Sequence, residues 1–122
     1  MEEKFFFDSY AIIEINISNE NYKKYSEKEV FTTVLNLGEV YYHYLKNHNK
    51  ETAEYWNTKT NAAIIDISVS VVLEAMQLKW EHKKSNLSMA DCIGYILAKK
   101  NNLKFLTGDE KFEKMTNVEF VK

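Results

Sequence analysis

An α/β fold with three layers, α/β/α, around a short, mostly parallel central sheet is predicted by two features of the sequence. Short runs that are apolar nearly throughout, such as Phe5-Phe6-Phe7 and Phe105-Leu106-Thr107, alternate with longer segments of helical periodicity. Strands buried on both faces read as continuous apolar runs, and their alternation with helices marks a parallel sheet covered on both sides. The 122 residues contain no proline and show no internal repeat or linker, so a single domain over residues 1–122 is expected.

The elements follow in order. Lys4-Phe5-Phe6-Phe7-Asp8 is an apolar run closing on an acid and reads as a buried strand. Ser9 to about Ile17, apolar at Tyr10, Ile12, Ile13 and Ile15, reads as a short helix capped by Asp8 or Ser9. Residues 19–25 are polar and loop-like. From Glu27 to Leu45, apolar residues at Val30, Val34, Leu37, Tyr41 and Leu45 predict one helix. Lys50 to Ala62 predicts a second, on Ala53, Trp56 and Thr60. Residues 63–68 read as a β-branched strand, and Val69 to Lys84 as a helix on Val72, Leu73, Met76 and Trp80. Ser88-Met89-Ala90-Asp91 matches a capping box opening a helix to about Asn101. Lys104 to Thr107 is a strand closed by the turn Gly108-Asp109. A helical turn from Glu110 to Met115 and a last strand, Val118 to Val121, complete the chain.

Composition excludes several classes. With 45% hydrophobic and 14% aromatic residues, the chain can build a core, unlike disordered or collagen-like sequences. One cysteine, Cys92, excludes a disulfide scaffold and a thiolate zinc site. No apolar run approaches the roughly 20 residues of a membrane helix, and Met1-Glu2-Glu3-Lys4 ahead of three phenylalanines does not read as a signal peptide. A cytoplasmic protein without membrane attachment is expected. The net charge of −2, from 16 basic and 18 acidic residues, gives no bulk signal for nucleic acid. All the basic residues are lysine, so phosphate contacts would use ammonium groups or backbone amides rather than bidentate guanidinium.

The carboxylates carry the functional signal. Ligands of open parallel sheets bind beyond the carboxyl ends of the strands. Asp8 ends the first strand, Asp109 follows Phe105-Leu106-Thr107, and Asp91 opens the helix leading into that strand, which a right-handed crossover starts on the same edge. Each also has a local reading: Asp8 and Asp109 as helix caps, Asp91 as the third helical residue of its capping box. Three acids on one edge repel, by roughly 4 kcal/mol for a pair at about 4 Å and an effective dielectric of about 20, which favours a cation among them. Glu39, at the boundary of the apolar arc of its helix, is the fourth candidate or else a solvated surface residue. Asp66, mid-strand, and Glu14, on the first helix, are away from this edge.

Phe5-Phe6-Phe7-Asp8-Ser9-Tyr10-Ala11-Ile12-Ile13 resembles the opening of a PIN domain, and Leu37-Gly38-Glu39-Val40-Tyr41 its helical glutamate segment. Leu87-Ser88-Met89-Ala90-Asp91-Cys92-Ile93-Gly94-Tyr95-Ile96-Leu97-Ala98 with Phe105-Leu106-Thr107-Gly108-Asp109-Glu110-Lys111-Phe112 resembles its paired-acid C-terminal half. The likeness spans nearly the whole chain, whose size is similar to that of the VapC-like toxins. It implies an endoribonuclease hydrolysing RNA phosphodiesters, with Asp8, Glu39, Asp91 and Asp109 as catalytic acids holding Mg²⁺ or Mn²⁺. Oxygen ligands suit those hard cations. It also implies a homodimer and a cognate antitoxin that masks the acids. Ser9 and Thr107 match hydroxyl positions of the family or serve as local caps. The alternative is a non-catalytic PIN-like module binding protein or RNA.

Among the other polar residues, Lys111 is the best phosphate candidate because it follows Asp109. Lys79, Lys83, Lys84, Lys99 and Lys100 either form an RNA groove or a solvated face. Cys92 reads as a core residue, and His43, His48 and His82 lack zinc-ligand spacing. Tyr41, Tyr42, Tyr44, Tyr55 and Trp56 read as core or dimer surface. A phosphoryl-receiver domain would need paired acids after the first strand, and a haloacid-dehalogenase-like phosphatase Asp-x-Asp; Asp8-Ser9-Tyr10 supplies neither.

Overall fold

Phe5, Phe6 and Phe7 are all buried, as three consecutive residues can be only when both faces of their strand are covered. The computed structural model describes residues 2–122; Met1, at the head of the segment read as no leader, lies outside them. The strands are β1 (Phe5–Phe7), β2 (Val30–Thr32), β3 (Ala62–Ile64), β4 (Lys104–Thr107) and β5 (Val118–Phe120). They form one sheet in the order β3-β2-β1-β4-β5, every pairing parallel. The five α-helices are α1 (Ser9–Asn16), α2 (Val34–Asn47), α3 (Lys50–Lys59), α4 (Val69–Glu81) and α5 (Met89–Lys100).

The strand alternation divides the core in two. Phe6 and Phe105 face Val71 and Ala75 of α4 and Cys92, Ile93, Tyr95, Leu97 and Ala98 of α5. Phe5, Phe7 and Leu106 face α1, α2, α3 and the 3-10 helix Glu20–Tyr25. The layered α/β fold and its parallel sheet are as the sequence predicts.

Several expectations need correction. Residues 27–45 are not one helix: Val30–Thr32 forms β2, and α2 starts only at Val34. The strand is three residues long and falls in phase with the helix after it, so periodicity joins them. The break is made by Thr32, whose hydroxyl donates to the Phe7 carbonyl at 2.8 Å, and by Thr33, whose Oγ1 caps α2. Consequently Val34 and Leu45, expected inside, are 60% and 42% exposed. The loop expected over residues 19–25 is the 3-10 helix, which buries Tyr22 and Tyr25. On α4, Val71 and Ala75 are buried while Leu73 and Trp80 lie outside. The apolar arc of α4 is wider than the strip its neighbours cover, and the part with Val71 and Ala75 is the part that is buried. The predicted strand over residues 63–68 shortens to Ala62–Ile64, and the last strand ends at Phe120.

Two helical glycines differ in role. A Cβ at Gly94 would lie 2.7 Å from Phe6 Cε1 and 3.3 Å from Phe105 Cε1, so α5 rests directly on the central strands. A Cβ at Gly38 would meet nothing within 4 Å. Gly94→Ala is expected to destabilise, since overpacking costs about 1–3 kcal/mol and the alanine's helix propensity returns only about 1. Gly38→Ala is expected to stabilise by about 1 kcal/mol. Urea unfolding of both variants checks the opposite signs.

Candidate active site

The acids are set in place by the ends of β1 and β4 and by two helices. Asp8 follows β1 and caps α1, its Oδ1 accepting the Ala11 amide at 2.8 Å. It is 1% exposed. The register of β1 on β4 pairs Phe7 with Leu106, which brings buried Thr107 beside Asp8. The Thr107 hydroxyl hydrogen-bonds the Asp8 carboxyl, and Thr107 Oγ1 also accepts the Asp109 amide at 3.0 Å. Asp109 in turn caps the 3-10 turn Glu110–Phe112, its Oδ1 accepting the Lys111 amide at 3.0 Å. The cap readings of Asp8 and Asp109 are therefore correct, each cap using the Oδ1 atom.

Asp91 sits in the first turn of α5, whose N-cap is Ser88; its amide donates to Ser88 Oγ at 3.1 Å. Among the described residues no bond from the Ser88 amide to the Asp91 carboxylate completes the capping box. Glu39 lies on α2, half-buried, and its Oε1 accepts the Ser9 hydroxyl at 2.6 Å. Ser9 is the first residue of α1, so this bond joins the helix after Asp8 to the helix bearing Glu39.

The acids share one electrostatic field. Burial raises the Asp8 carboxyl well above its ordinary range, the Thr107 and Ala11 bonds oppose this, and the charges of Asp91 and Asp109 add to it. Burial pushes Asp91 up to about 6, with Glu39 and Asp109 adding to the rise and Ser88 and Lys111 opposing it. Asp8 thus feels Asp91 and Asp109, and Asp91 feels Glu39 and Asp109. They nevertheless stand apart enough that, among the described residues, no three His, Cys, Asp or Glu form a ready-made metal cage. The donor set is all oxygen, and Mg²⁺ is commonly held by one or two carboxylates and several waters. A hard cation is compatible with it.

The lysines are mostly engaged elsewhere. Lys79 donates to the Leu87 carbonyl, Lys100 pairs with Glu74 at 3.1 Å, and Lys83 and Lys99 lie over the rings of Trp80 and Tyr95. Lys111 alone of these acts on the acids, through Asp91, while its Nζ donates to the Asn86 carbonyl at 3.3 Å. Cys92 is buried and its thiol is pushed up to about 11, as for a core residue. Of the tyrosines expected at a dimer surface, Tyr44 is buried and Tyr42 is 64% exposed. Sequence reasoning missed Thr33 and Asn36, both fully buried and bonded toward Ser9. No periodic signal marks a polar residue as buried.

The sequence matches the family described as PIN domain over residues 5–118. No curated protein matches the chain. Solved structures share the fold at low identity. The VapC20 toxin of Mycobacterium tuberculosis, described as cleaving the sarcin–ricin loop, superposes with a TM-score of 0.80 at 15% identity, covering 98% of this chain and 100% of the other. VapBC2 of Rickettsia felis, solved on a DNA fragment from its promoter, gives 0.72 at 18% identity, covering 97% and 98%. A toxin–antitoxin complex of Klebsiella pneumoniae gives 0.69 at 20% identity, covering 95% and 96%.

The raised carboxyls give the metal-free protein a definite pH dependence. Between the ordinary value of 3.8 and about 6, folded Asp91 keeps a proton that the unfolded chain has lost. Stability therefore falls as pH rises through this window, by up to roughly 3 kcal/mol for a shift of about two units. Asp8 contributes in the same direction. Melting in EDTA between about pH 4 and pH 7 is expected to show this fall, and Asp91→Asn to flatten it.

Proposed function

Because the chain belongs to the PIN domain family, we propose that it is a metal-dependent endoribonuclease, the toxin of a toxin–antitoxin pair. The observation that carries this reading is the buried carboxyl of Asp8 at the end of β1, whose rise from burial is increased by the charges of Asp91 and Asp109. A fold that keeps like charges together at the carboxyl edge of a parallel sheet is suited to a cation there. The likeness to toxin structures supports the fold on which the proposal rests.

Asp8, Glu39, Asp91 and Asp109 would hold the Mg²⁺ or Mn²⁺. Such an ion, when bound, lowers the pKa of a water for attack on phosphorus and screens the developing charge. The chain's own residues prepare the acids for it. Thr107 holds the Asp8 carboxyl and, through its Oγ1, the backbone of Asp109. Ser9 orients Glu39. With Asp91 raised to about 6, a cation binding below that pH would displace its proton. Lys111 is exposed and next but one to Asp109, where its ammonium can take a phosphate oxygen of the RNA.

In this reading the protein works in the cytoplasm beside an antitoxin that covers the acids, and it forms a homodimer. No helix of the described residues is long and apolar enough to cross a membrane. The dimer has apolar surface available on α4, where Val69, Leu73 and Trp80 are 77%, 59% and 69% exposed. The spacing of the acids, too wide for a three-acid cage, favours the second reading of a non-catalytic PIN-like module. Metal titration separates the two.

Millimolar Mg²⁺ or Mn²⁺ is expected to raise the melting temperature, since a ligand of the folded state alone stabilises it. RNA cleavage is expected to stop in EDTA and to fall steeply with salt. Asp91→Asn is expected to lose metal stabilisation and cleavage together, while in EDTA it melts at or above wild type because repulsion is relieved. A variant that melts lower in EDTA and still cleaves would remove Asp91 from the catalytic set. Sedimentation at micromolar concentration is expected to show a species of about twice 14.4 kDa; a monomer alone would count against the dimer.

A further inference from the structure

On the reading of Glu39 as a metal-facing acid, we propose that Asn36 is a positioning residue which, acting through Ser9, holds the Glu39 carboxylate at the carboxyl edge of the sheet. Asn36 is fully buried in the first turn of α2, one turn ahead of Glu39. A buried side-chain amide persists only where its donors and acceptor are satisfied. Here the bonds between side chains run one way, from Thr33 to Asn36 to Ser9 to Glu39. Thr33 Oγ1 accepts the Asn36 backbone N–H at 3.3 Å, which leaves its own proton to donate to Asn36 Oδ1 at 2.7 Å. That bond decides which end of the Asn36 side chain faces Thr33. The other end, Nδ2, donates to Ser9 Oγ at 3.2 Å.

With a lone pair of Ser9 so engaged, its single proton has two acceptors in reach. The Asn36 carbonyl lies at 3.3 Å and Glu39 Oε1 at 2.6 Å. The shorter contact, to an acidic side chain, is the stronger. The chain Thr33, Asn36, Ser9, Glu39 is therefore a directed relay that begins at a helix cap and ends on an acid of the site. It also crosses from α2 to α1 and back, next to Asp8, so it fixes the spacing of Asp8 and Glu39. Simple core filling would not need a polar residue here, nor bonds of one direction.

The relay is tested on the metal-free full chain by two readouts. Mn²⁺ affinity, measured by the electron paramagnetic resonance of the free ion, is compared among wild type, Asn36→Ala, Ser9→Ala and the double variant. Each single change is expected to weaken binding about tenfold or more, as loss of a ligand's supporting bond commonly does, and the double change no further than the larger single one. Additive losses, or unchanged affinity in folded single variants, would overturn the proposal. The second readout needs no metal and no change at position 36. The Asn36 side-chain amide resonance is expected to shift on Ser9→Ala and on Glu39→Gln, and to stay in place on Asp109→Asn. If wild type binds no Mn²⁺, the metal reading fails, yet the response to Glu39→Gln still decides the relay. An amide indifferent to both Ser9→Ala and Glu39→Gln sinks it.

Discussion

A carboxyl that water cannot reach must be held by the protein, and Asp8 is that group here. Its ionised form is opposed by burial and by neighbouring acids and favoured by two bonds, from the Ala11 amide and the Thr107 hydroxyl. Each bond constrains a large element. The Ala11 amide requires α1 to begin at once after β1. The Thr107 hydroxyl requires β4 to lie beside β1 in the observed register, Phe7 against Leu106. That register then places Asp109 on the same edge, and α5, resting on Phe6 at Gly94, brings Asp91. The layered fold is in this sense the scaffold of one buried acid.

How much of this could be read from the sequence follows from how each residue is buried. β1 and β4 were legible because both faces of each are covered, so nothing polar interrupts Phe5-Phe6-Phe7 or Phe105-Leu106. The start of α5 was legible because Ser88 caps it by local chemistry. Asp109 then followed from topology, and Thr107 from the family resemblance alone. β2 was hidden because three residues cannot show a period of their own, and its end is set by Thr32 reaching Phe7, a contact made across the sheet. The inward face of α4 was hidden because packing against α5 prefers Ala75 to Leu73, which composition alone ranks the other way. Asn36 was hidden because a polar residue on a helix looks solvated until its partners are known.

The charge pattern acquires a meaning it lacks as a sum. A net charge of −2 suggests indifference to polyanions, yet Asp8 and Asp91 each feel the charge of two other acids, while several of the lysines that could oppose them are bound to carbonyls, a glutamate or aromatic rings. On the proposed reading a phosphate chain would be repelled at the acids and attracted by lysines near them, Lys111 among these. Without arginine, the attraction is that of a hydrated point charge and carries little geometric demand.

The strand order has a consequence for how the molecule comes into being. β1 is central and early in the chain, but its partner β4 is near the other end, Phe5 pairing with Lys104. On one side β1 can join β2 soon after synthesis; on the other it waits for almost everything between. Parallel pairings over such separations close slowly, and until this one closes neither Thr107 nor Asp109 is beside Asp8. Until then aromatics such as Tyr22 and Tyr25 can be buried while Asp109 is still away from Asp8. Whatever the acids do, they can do only in a finished molecule.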